Sequence, residues 1–317
     1  MVGSPHDLIP ARGRSRRQDG DMDTQRDAAR GGSDARGGSD ARGGIDSPSN
    51  PRLRAALRLR ERRERDATGL TLVDGGRESL RAMESGATVE TAFVCRSRLG
   101  SIEAHRVAEK LEQSLGPYGA SIDLVEISER AFERLAYGDR ADGVVLVVRA
   151  PQTELSGLGL PAEPLIVVTE DVEKPGNVGA ILRSADAVNA SALIAVGGTD
   201  LFNPNVIRAS VGTVFSMPVA TGPAEAVAGW LRERGIRVVA SRVDAARLHV
   251  DTDLRGPLAV VLGSESAGLS DAWRGPDVEA VRLPMSGVAD SLNVSAAAAV
   301  LLYEAWRQRR SAPPESG

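Results

Sequence analysis

Two α/β domains in tandem, the second built on a parallel sheet, are the fold that this sequence predicts. Three observations carry the prediction. The chain has 317 residues, 42% of them apolar and 26% charged, which allows about two domains of roughly 100–200 residues each. From residue 70 onward, short runs of Val, Ile, Leu and Ala alternate with segments of helical period. The runs LIVV at 165–168 and LAVVL at 258–262 are apolar throughout rather than at every second residue. That pattern belongs to strands whose sheet is covered by helices on both faces.

Residues 1–50 are expected to form a disordered tail. They hold eight Arg and eight Asp, and a near-repeat, ARGGSDARGGSDARGGID, begins at Ala29. Such a stretch has almost nothing to bury and cannot offset the entropy of ordering. It reads either as an RGG-type RNA-binding tail or as a solvated extension, with Met22 a second candidate start. The interleaved Asp cancels the charge that RNA affinity would need.

A small α/β domain is expected over 51–150. It opens with a basic helix, PRLRAALRLRERRERD at 51–66, whose Leu53, Ala56 and Leu57 can share one face. LTLVDG at 70–75 is a strand running into a turn, 77–85 a helix and VETAFVC at 89–95 a strand. A helix at 105–115, a strand at 121–128, a helix at 130–136 and a strand at 143–150 complete it. Residues 151–163, PQTELSGLGLPAE, are rich in Pro and Gly without period and read as a linker.

The second domain is expected over 164–310, with a short tail at 311–317. Strands at 165–170, 192–198, 236–243, 258–263 and 278–285 are separated by helices at 177–188, 203–210 and 225–234. A helix from Ser291 to Arg310 closes the chain.

Composition excludes several classes. Cys95 is the sole cysteine, so an intrachain disulfide framework is ruled out, and it reads as a core residue at the end of a strand. With only His6, His105 and His249, no metal site is expected. No apolar run approaches the roughly 18 residues of a membrane span, and Arg16-Arg17 is not followed by an apolar segment. A cytoplasmic protein without membrane association is expected. The net charge is −4, but residues 51–81 hold nine Arg against five Asp and Glu. Arg52, Arg54, Arg58, Arg60, Arg62, Arg63 and Arg65 therefore form the candidate RNA-phosphate contacts.

Three strand-to-helix loops of the second domain stand out, where α/β sheets place ligands. They are EKPGNVGAILR at 173–183, LGSESAGL at 262–269 and LPMSGVADSLNVS at 283–295. None carries the G-x-G-x-x-G or G-x-x-x-x-G-K-[ST] pattern of common nucleotide sites, and Glu265 stands where a nucleophile elbow needs Ser. Gly263, Gly268 and Gly287 let backbone approach a ligand closely. Leu262, Leu283, Met285 and Leu292 can wall a flat group, and Asn177, Arg183, Glu265, Ser291 and Asn293 are polar groups at element ends. This suits an adenosyl group. Asn177 and Ser291 read equally as helix N-caps.

The three motifs, in this order, resemble those of the SpoU/TrmH family of SPOUT RNA 2′-O-ribose methyltransferases. N-x-G-x-x-x-R is Asn177 to Arg183, G-x-E-x-x-G is Gly263 to Gly268, and the third motif runs from Pro284 to Ser295. The resemblance covers about 165–307, and more weakly the family's ribosomal-protein-like substrate domain over 51–150. It implies a deep trefoil knot and S-adenosylmethionine as cofactor, with contacts at Gly263, Leu283 and Leu292. It implies catalytic candidates at Asn177, Arg183, Glu265, Ser291 and Asn293. Asp290 departs from the Ser of many relatives. It also implies a homodimer through the last helix, where Leu292, Ala296, Ala299, Tyr303 and Trp306 recur at helical spacing. The expected substrate is rRNA first and tRNA second. A non-catalytic RNA-binding relative, a base-methylating SPOUT enzyme and a nicotinamide dehydrogenase are the rival readings, the last disfavoured by the missing glycine fingerprint.

Overall fold

The computed structural model describes residues 45, 47, 49–114, 122–136, 142–264 and 267–310, all within one compact unit spanning 42–317. The expectation of disorder for residues 1–44 lies outside the described residues. Ile45, placed in the tail by sequence, instead pairs beside Ile127, its amide donating to the Glu126 carbonyl at 2.8 Å.

The basic segment forms two helices rather than one, α1 (Pro51–Arg58) and α2 (Arg62–Thr68). Pro51 starts the first without losing a needed donor, and the Asn50 side chain caps it by accepting from the Arg52 amide at 2.9 Å. Gly69, at φ 67°, ends the second. Then come β1 (Leu70–Asp74), α3 (Gly76–Glu84), β2 (Val89–Val94), α4 (Ile102–Ser114), β3 (Asp123–Glu126), α5 (Glu129–Leu135) and β4 (Val144–Arg149). These four strands make a mixed sheet in the order β1-β4-β2-β3. β4 is antiparallel to both β1 and β2, while β2 and β3 run parallel. Cys95 is buried in this domain, as expected, among Phe93, Phe132 and Val145.

The second domain comprises β5 (Leu165–Glu170), α6 (Pro175–Ala187), β6 (Ala192–Val196), α7 (Pro204–Ala209), α8 (Thr213–Ser216), β7 (Val219–Gly222), α9 (Ala224–Glu233), β8 (Arg237–Ser241), β9 (Arg247–Leu248), β10 (Leu258–Gly263), β11 (Val278–Arg282) and α10 (Val294–Arg310). Its seven strands lie in the order β7-β6-β5-β10-β8-β11-β9, and every neighbouring pair is parallel. All six residues of β5 are buried, as a central strand covered on both faces requires. One face packs Val178, Ile181, Leu182, Leu301 and Leu302 from α6 and α10. The other packs Val227, Trp230, Leu231 and Trp273.

The two domains share core. One apolar cluster runs from Val73, Leu80 and Leu146 of the small domain to Leu182, Ile207 and Leu302 of the large one. Polar contacts reinforce it. The Thr71 hydroxyl donates to the Phe202 carbonyl at 2.6 Å, and the buried Arg65 guanidinium pairs with the Asp200 carboxylate. Among the described residues no helix is long and apolar enough to cross a membrane. Nor does any group of three or more His, Cys, Asp or Glu side chains there suit a metal ion.

Candidate active site

In a parallel sheet every strand ends on the same side, so the carboxyl ends of neighbouring strands open together. At the ends of β8, β10 and β11 lies a cleft of about 560 Å³, within the size range of small-ligand pockets. Leu262, Gly263, Gly268, Leu283, Met285 and Leu292, the residues proposed from sequence to hold a cofactor, all line it, and so does Ser291. Gly287 is not among the residues lining the cleft, and the space beside it is open. Sequence reasoning missed Ser241, Arg242, Val243 and Asp244, at and beyond the end of β8, and also Arg274 and Arg282. The rule that ligands gather at carboxyl ends could have found the first four.

The loop after β10 is folded tightly onto its own strand. A Cβ on Gly263 would stand 2.2 Å from the Gly268 carbonyl oxygen and 2.4 Å from its carbon. The Gly268 amide donates back to the Ser264 carbonyl at 3.1 Å, and Gly268 itself has φ 69°. The far end of the loop is pinned by Glu170, which is 4% exposed at the end of β5. Its two carboxylate oxygens accept from the Ser270 amide and hydroxyl, each at 2.7 Å. Glu265 lies outside the described residues.

Asn177 and Asn293 meet across the ends of α6 and α10. The Asn293 amide donates to the Asn177 side-chain oxygen at 3.1 Å. Neither cap reading from sequence holds. Asn177 is the third residue of α6, which opens at Pro175, and Ser291 precedes a helix that starts at Val294. The capping side chain is that of Asn293, which accepts from the Ser295 amide at 3.0 Å. Arg183 sits on an exposed position of α6 and does not line the cleft. At the cleft wall Arg242 grips Asp244 through two bonds of 2.9 and 2.6 Å. Those hydrogen bonds hold the Asp244 carboxyl below its ordinary pKa.

The seven basic-segment arginines divide. Arg65 is buried and donates to the Leu59 and Arg60 carbonyls, both at 2.7 Å, besides pairing with Asp200. Arg60 donates to the carbonyls of Arg134, Leu135 and Ala136 at the end of α5. Their expected phosphate contacts are therefore corrected to structural roles, because a guanidinium satisfied by internal acceptors is not offered to a ligand. Arg52 pairs with Asp123, Arg58 with Glu64 and Arg62 with Asp66, all with exposed guanidinium groups. Arg54 and Arg63 are exposed.

A parallel α/β domain with a candidate ligand cleft at its strand ends, joined to a smaller domain carrying a basic segment, is the class that the fold and site define. Comparison with known proteins names the family. The SpoU rRNA Methylase family matches residues 164–303, and the MRM3-like substrate binding domain matches residues 50–146. A 23S rRNA (uridine(2479)-2′-O)-methyltransferase of Streptomyces viridochromogenes is 33% identical over 263 residues, 80% of this chain and 88% of that protein. The 23S rRNA (guanosine-2′-O-)-methyltransferase RlmB of Ralstonia nicotianae is 32% identical over 67% of this chain and 88% of its own length. The structure of the SpoU methyltransferase AviRb from Streptomyces viridochromogenes, in complex with AdoMet, superposes with a TM-score of 0.74 at 31% identity, covering 83% of this chain and all of that one. This chain belongs to the SpoU rRNA methylase family.

Proposed function

We propose that this chain methylates a ribose 2′-hydroxyl of ribosomal RNA with S-adenosylmethionine as donor. The observation that carries the reading is the loop after β10. Bare backbone at Gly263 and Gly268 lines the cleft there, beside the apolar walls Leu262, Leu283, Met285 and Leu292. A slot with bare backbone and flat apolar walls suits an adenosyl group, whose edge hydrogen-bonds and whose faces stack. The names of the relatives in Streptomyces and Ralstonia support 23S rRNA as the substrate class, and the AdoMet complex of AviRb supports the cofactor.

When bound, the cofactor supplies a methyl group on a sulfonium, a good electrophile. The chain must then hold the hydroxyl in line with it, and positioning of that kind removes much of a barrier. Asn177 and Asn293, bonded to each other at 3.1 Å, tie the helix bearing Arg183 to the segment bearing Ser291. Arg183 binds the phosphate next to the target ribose and polarises its hydroxyl. Its planar fork of donors favours a positioning role, and the alternative is that Arg183 serves as the base that takes the hydroxyl proton as the methyl group is transferred. Glu265 and Ser291 complete the proposed catalytic set, and no metal is required.

The same reading includes a deep trefoil knot in the second domain, cytoplasmic location and a homodimer. Val300, Tyr303 and Trp306 of α10 are 36–50% exposed, an apolar stripe that a second copy would cover. Incubation with labelled cofactor and rRNA, followed by nuclease digestion, should yield a 2′-O-methylnucleoside. Label in a base would exclude 2′-hydroxyl chemistry. Label in tRNA alone would change the substrate, and no label in either would leave a non-catalytic RNA-binding relative.

A further inference from the structure

We propose that the small domain sets the position of α6 through the turn at 209–212, and that Arg81 is the positioning residue of this contact. Val211 and Gly212 are consecutive left-handed residues, at φ 55° and 79°. For the β-branched Val211 that conformation is strained, and it persists only where the surroundings enforce it. The end of α7 sets it locally, with the Val211 amide donating to the Arg208 carbonyl at 3.0 Å and the Gly212 amide to the Ile207 carbonyl at 2.8 Å, and the other domain braces the turn so formed. Arg81 of α3 donates from Nη1 to the Val211 carbonyl at 2.5 Å. The backbone of α3 also rests directly on Gly212, where a Cβ would lie 3.0 Å from Glu78 Cα and 3.4 Å from Arg81 Cβ.

The opposite side of the same turn is packed against α6. A Cβ on Gly179 would stand 2.3 Å from Ala209 Cβ and 2.7 Å from the Ser210 nitrogen. The backbones of α6 and the end of α7 are thus as close as two chain segments can be, and neither can shift alone. Asn177 lies two residues before Gly179 and Arg183 four after it. Displacing the turn therefore displaces the helix that carries both. On this arrangement the small domain does more than tether RNA, because its docking fixes where Arg183 meets the substrate.

This inference rests on the proposed methyl transfer for its kinetic consequence but not for its structural one, so the test has two readouts. Arg81→Met should lower the single-turnover methylation rate at least tenfold with RNA and cofactor both saturating. Cofactor affinity should stay within twofold of the parent. Arg81→Lys, which can still donate to the carbonyl, should recover part of the rate. Independently of activity, hydrogen exchange of the α6 amides should speed up at least tenfold in Arg81→Met, with the β5 and β10 amides unchanged. If Arg81→Met fails to fold, Arg81→Gln carries the same two measurements. A folded variant with parental exchange in α6 overturns the proposal, as does a saturating rate within twofold of the parent. Weaker RNA binding with the saturating rate intact would make Arg81 an RNA contact and also overturns it. A parent protein with no methylation at all defeats the proposed function, and the exchange result then decides this inference alone.

Discussion

Replacing Gly263 with alanine tests the cofactor cleft with the smallest possible perturbation. Gly263 has an ordinary backbone conformation, so the added methyl acts by volume alone. Its neighbours would be the Gly268 oxygen at 2.2 Å, the Gly268 carbon at 2.4 Å and the Leu269 nitrogen at 2.9 Å. All three are backbone atoms, so no flexible side chain can give way. Reaching ordinary contact requires the loop to move by about 1 Å. That motion works against the two 2.7 Å bonds from Ser270 to the buried Glu170. Overpacking of this kind costs about 1–3 kcal/mol. Where the cost falls on the cofactor-bound loop, affinity drops roughly tenfold to hundredfold, at about 1.4 kcal/mol per factor of ten. A branched side chain, as in Gly263→Val, acts by the same route. It displaces the loop rather than filling the cofactor's own space. Calorimetry with S-adenosylmethionine, alongside thermal melts, measures both effects. Gly229→Ala, in α9 with open space around it, is the control and should stabilise by about 0.5–1 kcal/mol. A folded Gly263→Ala protein with parental cofactor affinity would refute the placement.

Four further outcomes are expected. Asp200→Ala removes the partner of a guanidinium that is 6% exposed; it should cost about 3 kcal/mol in denaturant titrations, partly offset by the carbonyls Arg65 keeps. Charge reversal or neutralisation at Arg54 and Arg63 should weaken RNA binding and flatten its salt dependence by about 0.7–0.9 per lost contact, whereas Arg65→Met should lower stability instead. Arg183→Ala should leave the melting temperature and cofactor affinity unchanged while reducing methyl transfer by orders of magnitude, with Arg183→Lys only partly active; full activity in the lysine variant would remove the argument from the planar fork. Hydrogen bonds from Arg307 and Gln308 hold the Glu304 carboxyl at about 2. A depressed acid stabilises above its ordinary value of 4.5 and loses that contribution as pH falls toward 2. The side chain is 12% exposed but Arg307 is 61% exposed, so screening reduces the effect to about 1–2 kcal/mol. Glu304→Gln should therefore be less stable than the parent at pH 7 and close to it at about pH 2.

Local periodicity determined much of this protein. The continuous apolar runs at 165–168 and 258–262 became neighbouring central strands paired in register from Leu165–Leu258 to Glu170–Gly263, because only a doubly covered sheet can bury such runs. The glycines of LGSESAGL marked a loop of close approach, read from sequence as approach to a ligand, whereas the neighbour that Gly263 meets in the fold is the Gly268 backbone. What the chain pairs over long distances was not legible. Arg60 and Arg65 look like any other members of an arginine-rich segment, yet both are turned inward. Their acceptors, Asp200 and the carbonyls ending α5, lie 74 to 135 residues away. The break between α1 and α2 has no Gly or Pro to announce it, since it arises where Leu59 turns into the core and Arg65 gathers the freed carbonyls. Ser241 and Arg242 reached the cleft through the strand order β10-β8-β11. Sequence period specifies which face of an element is apolar. The identity of the group packed against that face depends on the whole folded chain, and only the tertiary structure decided it.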